Sequence, residues 1–346
     1  GFVSLDVESL SFVERTGFEL DNLSGSILVD NGKIEINEGN IQTALSNINL
    51  DYLLLKGKDW LEYRDFINNI PIICNISRSN VSSEDVGYFA SELWGWKTSL
   101  RNVTASMNGP VADFKGNIVN ATLEDGGTLQ GSARVRGLID VERTKFDIKV
   151  NRLRASTDEV SYLLHNIAHL SIGDTASQYL DRIGGIDASG EFKGTIREFS
   201  AKANSRLRSG GSVALACTMQ NPANGRKGIN ATVGAEELDL SALLATSVVG
   251  KSSLNANVEV ELGDDSPLLL KGGGKVASIT INGCEYNNLT LVADIEDNRV
   301  AGSLGVNDEA LKLDAQAILD FAERGMPLYD AVMSVEHADL HAMNIN

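Results

Sequence analysis

The nine residues "LNANVEVEL", Leu254 to Leu262, decide how the chain is read. Leu254, Ala256, Val258, Val260 and Leu262 alternate with Asn255, Asn257, Glu259 and Glu261. A period of two puts the apolar set on one face of a β-strand and the polar set on the other. The same alternation runs through "KFDIKVN" at Phe146, Ile148 and Val150, and through "LTLVADIE" at Leu289, Leu291, Ala293 and Ile295. It recurs in "ALKLDAQA" at Leu311, Leu313 and Ala315. "GSILVD" and "KIEIN", joined by Asn31-Gly32, read as a hairpin in which Asn-Gly supplies the positive φ angles of a two-residue turn. Few of these strands show the continuous apolar run of a sheet buried on both faces. The expectation is an all-β chain with a few short helices, built as a repetitive antiparallel sheet with one apolar face.

The totals narrow the possible roles. The chain has 346 residues, of which 42% are hydrophobic and 22% charged, so it is able to form a core. Thirty Lys and Arg stand against 47 Asp and Glu, a net charge of −17. That balance excludes nucleic acid as a partner and disfavours lying flat on an anionic membrane. Glycine is frequent (33) and proline scarce (5), which suits many strands joined by tight turns. Cys74, Cys217 and Cys284 are far apart and in no C-x-x-C pair, so they read as structural thiols rather than a disulfide framework or zinc site. No apolar run is long enough to span a membrane as a helix. Strand-like sequence is already running at Gly1, so the chain is expected to be a segment of something longer.

Short helices interrupt the strands. "STDEVSYLLHNIAHL" opens with a capping box, Ser156 to Glu159, followed by Val160, Leu163, Leu164 and Ile167 at helical spacing. "SSEDVGYFASEL" repeats the device from Ser82 to Asp85. "LDLSALLATSV" has a cap at Asp239, and "ADLHAM" reads as the start of a fourth helix. "KDWLEYRDFINNI" fits helix and strand equally. Between the helices, "GPVADF" (Gly109–Phe114) matches "GTIREF" (Gly194–Phe199), with "GKVASI" (Gly274–Ile279) a weaker third copy, and "GSARV" at Gly131 matches "GSVAL" at Gly211. A recurrence of roughly 80 residues suggests one elongated array. Its units run approximately over 1–81, 82–155, 156–238 and 239–338, with a further one starting at 339–346.

No chemistry assembles from these residues. His165 and His169, and His337 and His341, have metal-chelating helical spacing but no base and no third ligand nearby. "KGGGK" (Lys271–Lys275) lacks the Ser or Thr of a phosphate loop and reads as a turn. Asp264-Asp265 before Ser266-Pro267 is a hairpin signal. Trp94 and Trp96 read as packing where a helix meets a strand. The seven N-x-S/T sequons, at Asn22, Asn75, Asn80, Asn102, Asn120, Asn230 and Asn288, follow from a composition rich in Asn, Ser and Thr. The chain is therefore expected not to be an enzyme and to need no cofactor or metal.

Several stretches resemble the large periplasmic TamB and AsmA-like proteins of Gram-negative bacteria. They are "LDVESLSFVERTGFELDNLSG" (Leu5–Gly25), "NGPVADFKG", "VRGLIDVERTKFDIKVNRLRASTDEV" (Val135–Val160), "GGIDASGEFKGTIREFSAKANSRLRSGG" (Gly184–Gly211), "NGCEYNNLTLVADIEDNRVAGSLGVND" (Asn282–Asp308) and "VEHADLHAMNIN". The likeness covers nearly the whole chain, through degenerate motifs in an informative order; Ile139 stands where the family has a proline. The resemblance implies a sheet curled lengthwise into a trough, a β-taco, with an apolar concave face. It implies a periplasmic protein anchored in the inner membrane and engaged in phospholipid transport and outer-membrane biogenesis. A barrel assembly protein of the outer membrane is implied as a partner only through parts outside these residues.

About 25 strands at roughly 4.8 Å each would give a rod near 120 Å. On this reading the groove is lined by Ile27, Val29, Ile34, Ile36, Phe146, Ile148, Val150, Val258, Val260, Leu289, Leu291, Ile295, Leu311 and Leu313. Its ligands are phospholipid acyl chains. Shielding a sixteen-carbon chain from water is worth on the order of 13 kcal/mol, at about 0.8 kcal/mol per methylene. The competing expectation is a scaffold or chaperone that holds outer-membrane proteins by strand addition.

Overall fold

A sheet of strands paired in sequence order is what the alternation requires, and it is what forms. The computed structural model describes residues 1–15, 17–88, 98–138, 142–162, 174–220, 227–263, 266–296, 299–321 and 328–345. Trp94, Trp96, Ile139, His165, His169 and the Asp264-Asp265 pair lie outside them. Among the described residues, nineteen strands pair in an antiparallel sheet that is not closed into a barrel. About 25 were expected; the strands are fewer because they are longer, up to 16 residues.

Chain contacts divide the protein into two compact units, residues 1–172 with 188–196 and residues 173–187 with 197–346. The first holds β1 (Val3–Val13), β2 (Glu19–Asp30), β3 (Lys33–Gln42), β4 (Asn47–Lys56), β5 (Ile72–Ser82), β6 (Ser99–Gly109), β7 (Asp113–Thr122), β8 (Thr128–Arg136), β9 (Lys145–Ala155) and most of β10 (Ile186–Gly194). The second holds β11 (Phe199–Leu207), β12 (Ser212–Gln220), β13 (Lys227–Asp239), β14 (Val249–Gly263), β15 (Ser266–Ile281), β16 (Cys284–Glu296), β17 (Arg299–Asn307), β18 (Leu311–Asp320) and β19 (Leu328–Ala338).

The turns follow local chemistry. Asp30 pairs with Lys33 across Asn31-Gly32, so the expected hairpin is present. Only Gly32 (φ +67°) is left-handed there, and Asn31 is not, which corrects the mirror-image turn expected of Asn-Gly. The reason is tertiary: the Gly32 carbonyl accepts from the Gly57 amide at 2.7 Å, which fixes the loop against its neighbour. The mirror-image turn occurs instead at Asn282-Gly283 (φ +49° and +78°), between β15 and β16. Gly109 and Gly194 both end a strand at strongly positive φ, so the "GPVADF" and "GTIREF" copies occupy equivalent places. The third copy does not: Gly274 lies inside β15, because "KGGGK" is strand and not the expected turn. Its glycines pair in register with Ala256 and Val258 on one side and with Leu291 and Ala293 on the other.

Glu38, Arg78, Asn102 and Glu237 adopt φ near +50° where the ladder register shifts. These are β-bulges, which bend a strand and tighten its twist.

The helices are short and cover strand ends. In α3 (Thr157–Tyr162) the capping box closes reciprocally, the Glu159 amide donating to Ser156 Oγ at 3.1 Å and the Ser156 amide to Glu159 Oε2 at 2.8 Å. Glu159 is buried and also accepts from the amides of Asp125 and Gly127. In α2 (Ser83–Gly87) the box is broken: Asp85 accepts from the hydroxyls of Thr43 and Ser46 instead, tying the helix to the β3–β4 turn. The ambiguous "KDWLEYRDFINNI" forms a 3-10 turn and the single helical turn α1 (Phe66–Asn69), with fully buried Ile70 beneath it. An amphipathic helix that the sequence reading missed, α4 (Asp174–Ile183), is joined to α5 (Leu240–Leu244) by Arg182, which donates to the Leu243 carbonyl at 2.9 Å. "ADLHAM" is a turn rather than a helix, capped by Asp339 accepting from the Ala342 amide at 3.0 Å.

Two glycines separate close approach from backbone strain. A Cβ at Gly32 would sit 2.8 Å from the Asp59 backbone, whereas one at Gly126 (φ +87°) would meet nothing within 4 Å. Gly126→Ala is expected to destabilise by about 1 kcal/mol through its φ alone, and Gly32→Ala by clearly more, toward about 3 kcal/mol. Equal losses in paired denaturant melts would refute the close-approach account.

Candidate functional site

The apolar residues of successive strands fall into straight rows because the ladders keep register across many strands. In the first unit one row runs Leu5, Ile27, Ile36, Leu53, Cys74, Met107, Gly116, Ala133, Ile148, one residue per strand from β1 to β9. Val29 pairs with Ile34 in the adjoining row. Phe146 pairs with Val135 and Val150 with Gly131, flanking the row at its β9 end. All seven first-unit candidates therefore share one face. Ile36 is buried and the other six are half-buried.

The second unit repeats the arrangement over β11 to β19. One row of large residues runs Phe199, Met219, Ile229, Val260, Leu270, Ile295, Val300, Leu319, Tyr329. Beside it lies a row of small ones: Ala201, Cys217, Ala231, Val258, Gly272, Ala293, Gly302, Ala317, Ala331. Leu215, Val233, Leu291, Leu304 and Met333 stand in the row on the far side, giving a shallow furrow that crosses the strands. At about 4.8 Å per strand the furrow runs near 38 Å, more than twice the roughly 15 Å that one leaflet's acyl chains span.

In the second unit much of this face is exposed among the described residues, whereas Ile36 and Val135 of the first unit's rows are buried. Leu291 is 51% exposed and Met333 67% exposed, although both belong to apolar rows. The chain as a whole exposes 21,155 Å². A compact monomer of this mass would expose about 13,600 Å², and two separate compact bodies about 16,500 Å². Leu289, Leu311 and Leu313 are placed differently from the other candidates. They pack with Cys284, Tyr286 and Val306 in a local core roofed by Met343, and Leu289 is 9% exposed. Sequence alternation cannot separate these positions from open-face ones, since the roof comes from the C-terminal turn.

The metal-like and loop-like motifs are dispersed. His337 is the penultimate residue of β19 and His341 lies in the following turn, so they do not share a helix, and no cluster of potential metal ligands occurs among the described residues. The cysteines are unpaired, Cys74 and Cys217 standing in the apolar rows. No family model matches the chain, nor does any curated protein or solved structure.

The two row thiols report on the face. Burial pushes the Cys74 thiol up to about 11, and burial also raises that of Cys217. A raised folded value means the folded state holds the proton more tightly than the unfolded chain. The contribution of Cys74 to stability is thus intact below about pH 9 and is lost as pH climbs through 11. The midpoint of thermal unfolding is expected to fall more steeply from pH 9 to 11 in the wild type than in Cys74→Ala; parallel curves would refute it.

Proposed function

We propose that this chain is a segment of a periplasmic protein of the TamB and AsmA-like kind, and that its apolar sheet face holds phospholipid acyl chains during lipid transport and outer-membrane biogenesis. One observation carries the reading: rows of apolar side chains that run across nine strands in each unit and, among the described residues, stand exposed over much of the second. At about 25 cal/mol per Å², such a face strongly favours an apolar cover. An acyl chain laid across the strands fits between the large-residue rows, with the small-residue row as its floor. The polar face, rich in Asn, Ser and charged groups, stays in water. No catalytic step is assigned, and the protein acts by shielding.

A second reading is strand addition, to which β19 is suited by composition, since it carries neither Pro nor Lys.

Native mass spectrometry of the chain purified without detergent from a bacterial host, with extracted lipids identified in parallel, tests both. Bound phospholipid is expected, and Val258→Glu should abolish it while circular dichroism stays unchanged. Gly272→Val should also weaken it by filling the furrow, since Gly272 has only ordinary contacts of 3.6 Å and beyond. Unfolding of Val258→Glu would make the position ordinary core. Lipid-free protein that captures peptides of alternating pattern would favour strand addition.

A further inference from the structure

We propose that the polar face of β5–β9, opposite the acyl-chain face, is a binding site for a short anionic oligosaccharide. An open concavity of about 720 Å³ lies there. Its position on this face follows from register. Ten of its thirteen lining residues come from two neighbouring rows of outward-facing residues; Met107, Gly116 and Ala133 of the apolar row between them also line it, and Cys74 and Ile148 do not. A volume of this size fits a small ligand rather than a protein surface.

The first row is a ladder of hydrogen-bonding side chains, Asn75, Ser106, Asn117 and Ser132, ending at Lys149. Each amide or hydroxyl both donates and accepts, as ligand hydroxyls require. Elsewhere on the polar face such groups satisfy one another: Asn40 donates to Asn47 at 2.7 Å, and Thr232 to Asn257 at 2.8 Å. The four side chains of this ladder have no hydrogen bond among the described residues. Successive members are about 4.8 Å apart, so a chain of sugar rings laid across the strands meets one polar side chain per strand.

The second row supplies charge. Lys115 is next to Arg134, which is held by Asp113 at 3.2 Å, and the row ends at Asp147, a carboxylate that also lines the concavity; Lys115, Arg134 and Lys149 leave the lining with an excess of positive charge. Lys115 and Lys149 have no carboxylate partner among the described residues. Residues 99–155 carry nine Lys and Arg against six Asp and Glu, in a chain whose totals are 30 against 47. Two cations without a carboxylate partner, in a locally basic stretch of an acidic protein, call for an anionic group on the ligand, a sulfate, phosphate or carboxylate. A flat anionic membrane would need the lysines but not the amide and hydroxyl ladder.

Isothermal titration calorimetry on the whole chain at low salt tests this, with heparin-derived tetrasaccharide and tetragalacturonate as probes. Maltotetraose, sodium sulfate and phosphatidylglycerol vesicles are the comparisons. At least one acidic tetrasaccharide is expected to bind tenfold or more tightly than maltotetraose or sulfate. Lys115→Ala/Lys149→Ala and Asn117→Ala/Ser132→Ala should each weaken it at least tenfold with the thermal midpoint unchanged, and Lys275→Ala in β15 should have no effect. Binding of neither acidic probe, binding indifferent to both double variants, sulfate binding of equal strength, or vesicle binding of equal strength lost in the lysine variant would each overturn the proposal. None of these outcomes depends on whether lipid occupies the other face.

Discussion

Strand register is the constraint on which everything else rests. A slip of one residue in any ladder would send an entire apolar set to the opposite face. With no second layer among the described residues to correct the error, the rows depend on each strand aligning the next. The ladder from β14 to β15 keeps Ala256, Val258 and Val260 opposite Gly274, Gly272 and Leu270 without a break. Its irregularities fall toward the strand ends, between Val249 and Leu254 and beyond Glu261. Backbone hydrogen bonds and same-row side-chain contacts thus do the work that face-to-face packing does in a sandwich.

Among the described residues the closed cores are local and sit at the ends of strands. Ile70 is covered by the aromatic turns around Trp60, Tyr63 and Phe66, with ring centroids 5.3 Å and 6.3 Å apart. The Cys284 cluster is roofed by Met343. Polar groups buried there are paid for with defined partners, Glu159 by three amides and Asp308 by those of Asn287 and Ala310. Between these plugs the apolar rows stay open, so stability and ligand affinity draw on different residues. That separation is what allows a charge in the furrow to be compared with a charge in the core.

Much of this was legible in the sequence because alternation is a local signal. The strands around Ile27, Ile148, Val258 and Leu291 were identifiable from period two alone, as were the caps at Ser156 and Asp239. What stayed hidden depended on partners distant in the chain. The glycine run at 272–274 reads as a turn until its register with Val258 and Ala293 is known. The bulges at Glu38, Arg78, Asn102 and Glu237 carry no common residue type, since strand pairing forces the left-handed conformation there. The roof over Leu289, Leu311 and Leu313 comes from Met343, and nothing in those strands announces it. The ladder from Asn75 to Ser132 draws one residue from each of four strands, so no motif search finds it.

Among the described residues, every ladder within each unit joins a strand to the one immediately before it in the chain. Most of these connections are short, so loop-closure entropy stays small at each of them. Structure can therefore be laid down in the order in which the polypeptide emerges from its synthesis, each finished strand serving as the template for its successor. A hairpin inserted or deleted between two ladders would lengthen or shorten the array while leaving its neighbours' hydrogen bonds untouched, a route by which such a protein can be resized without being redesigned.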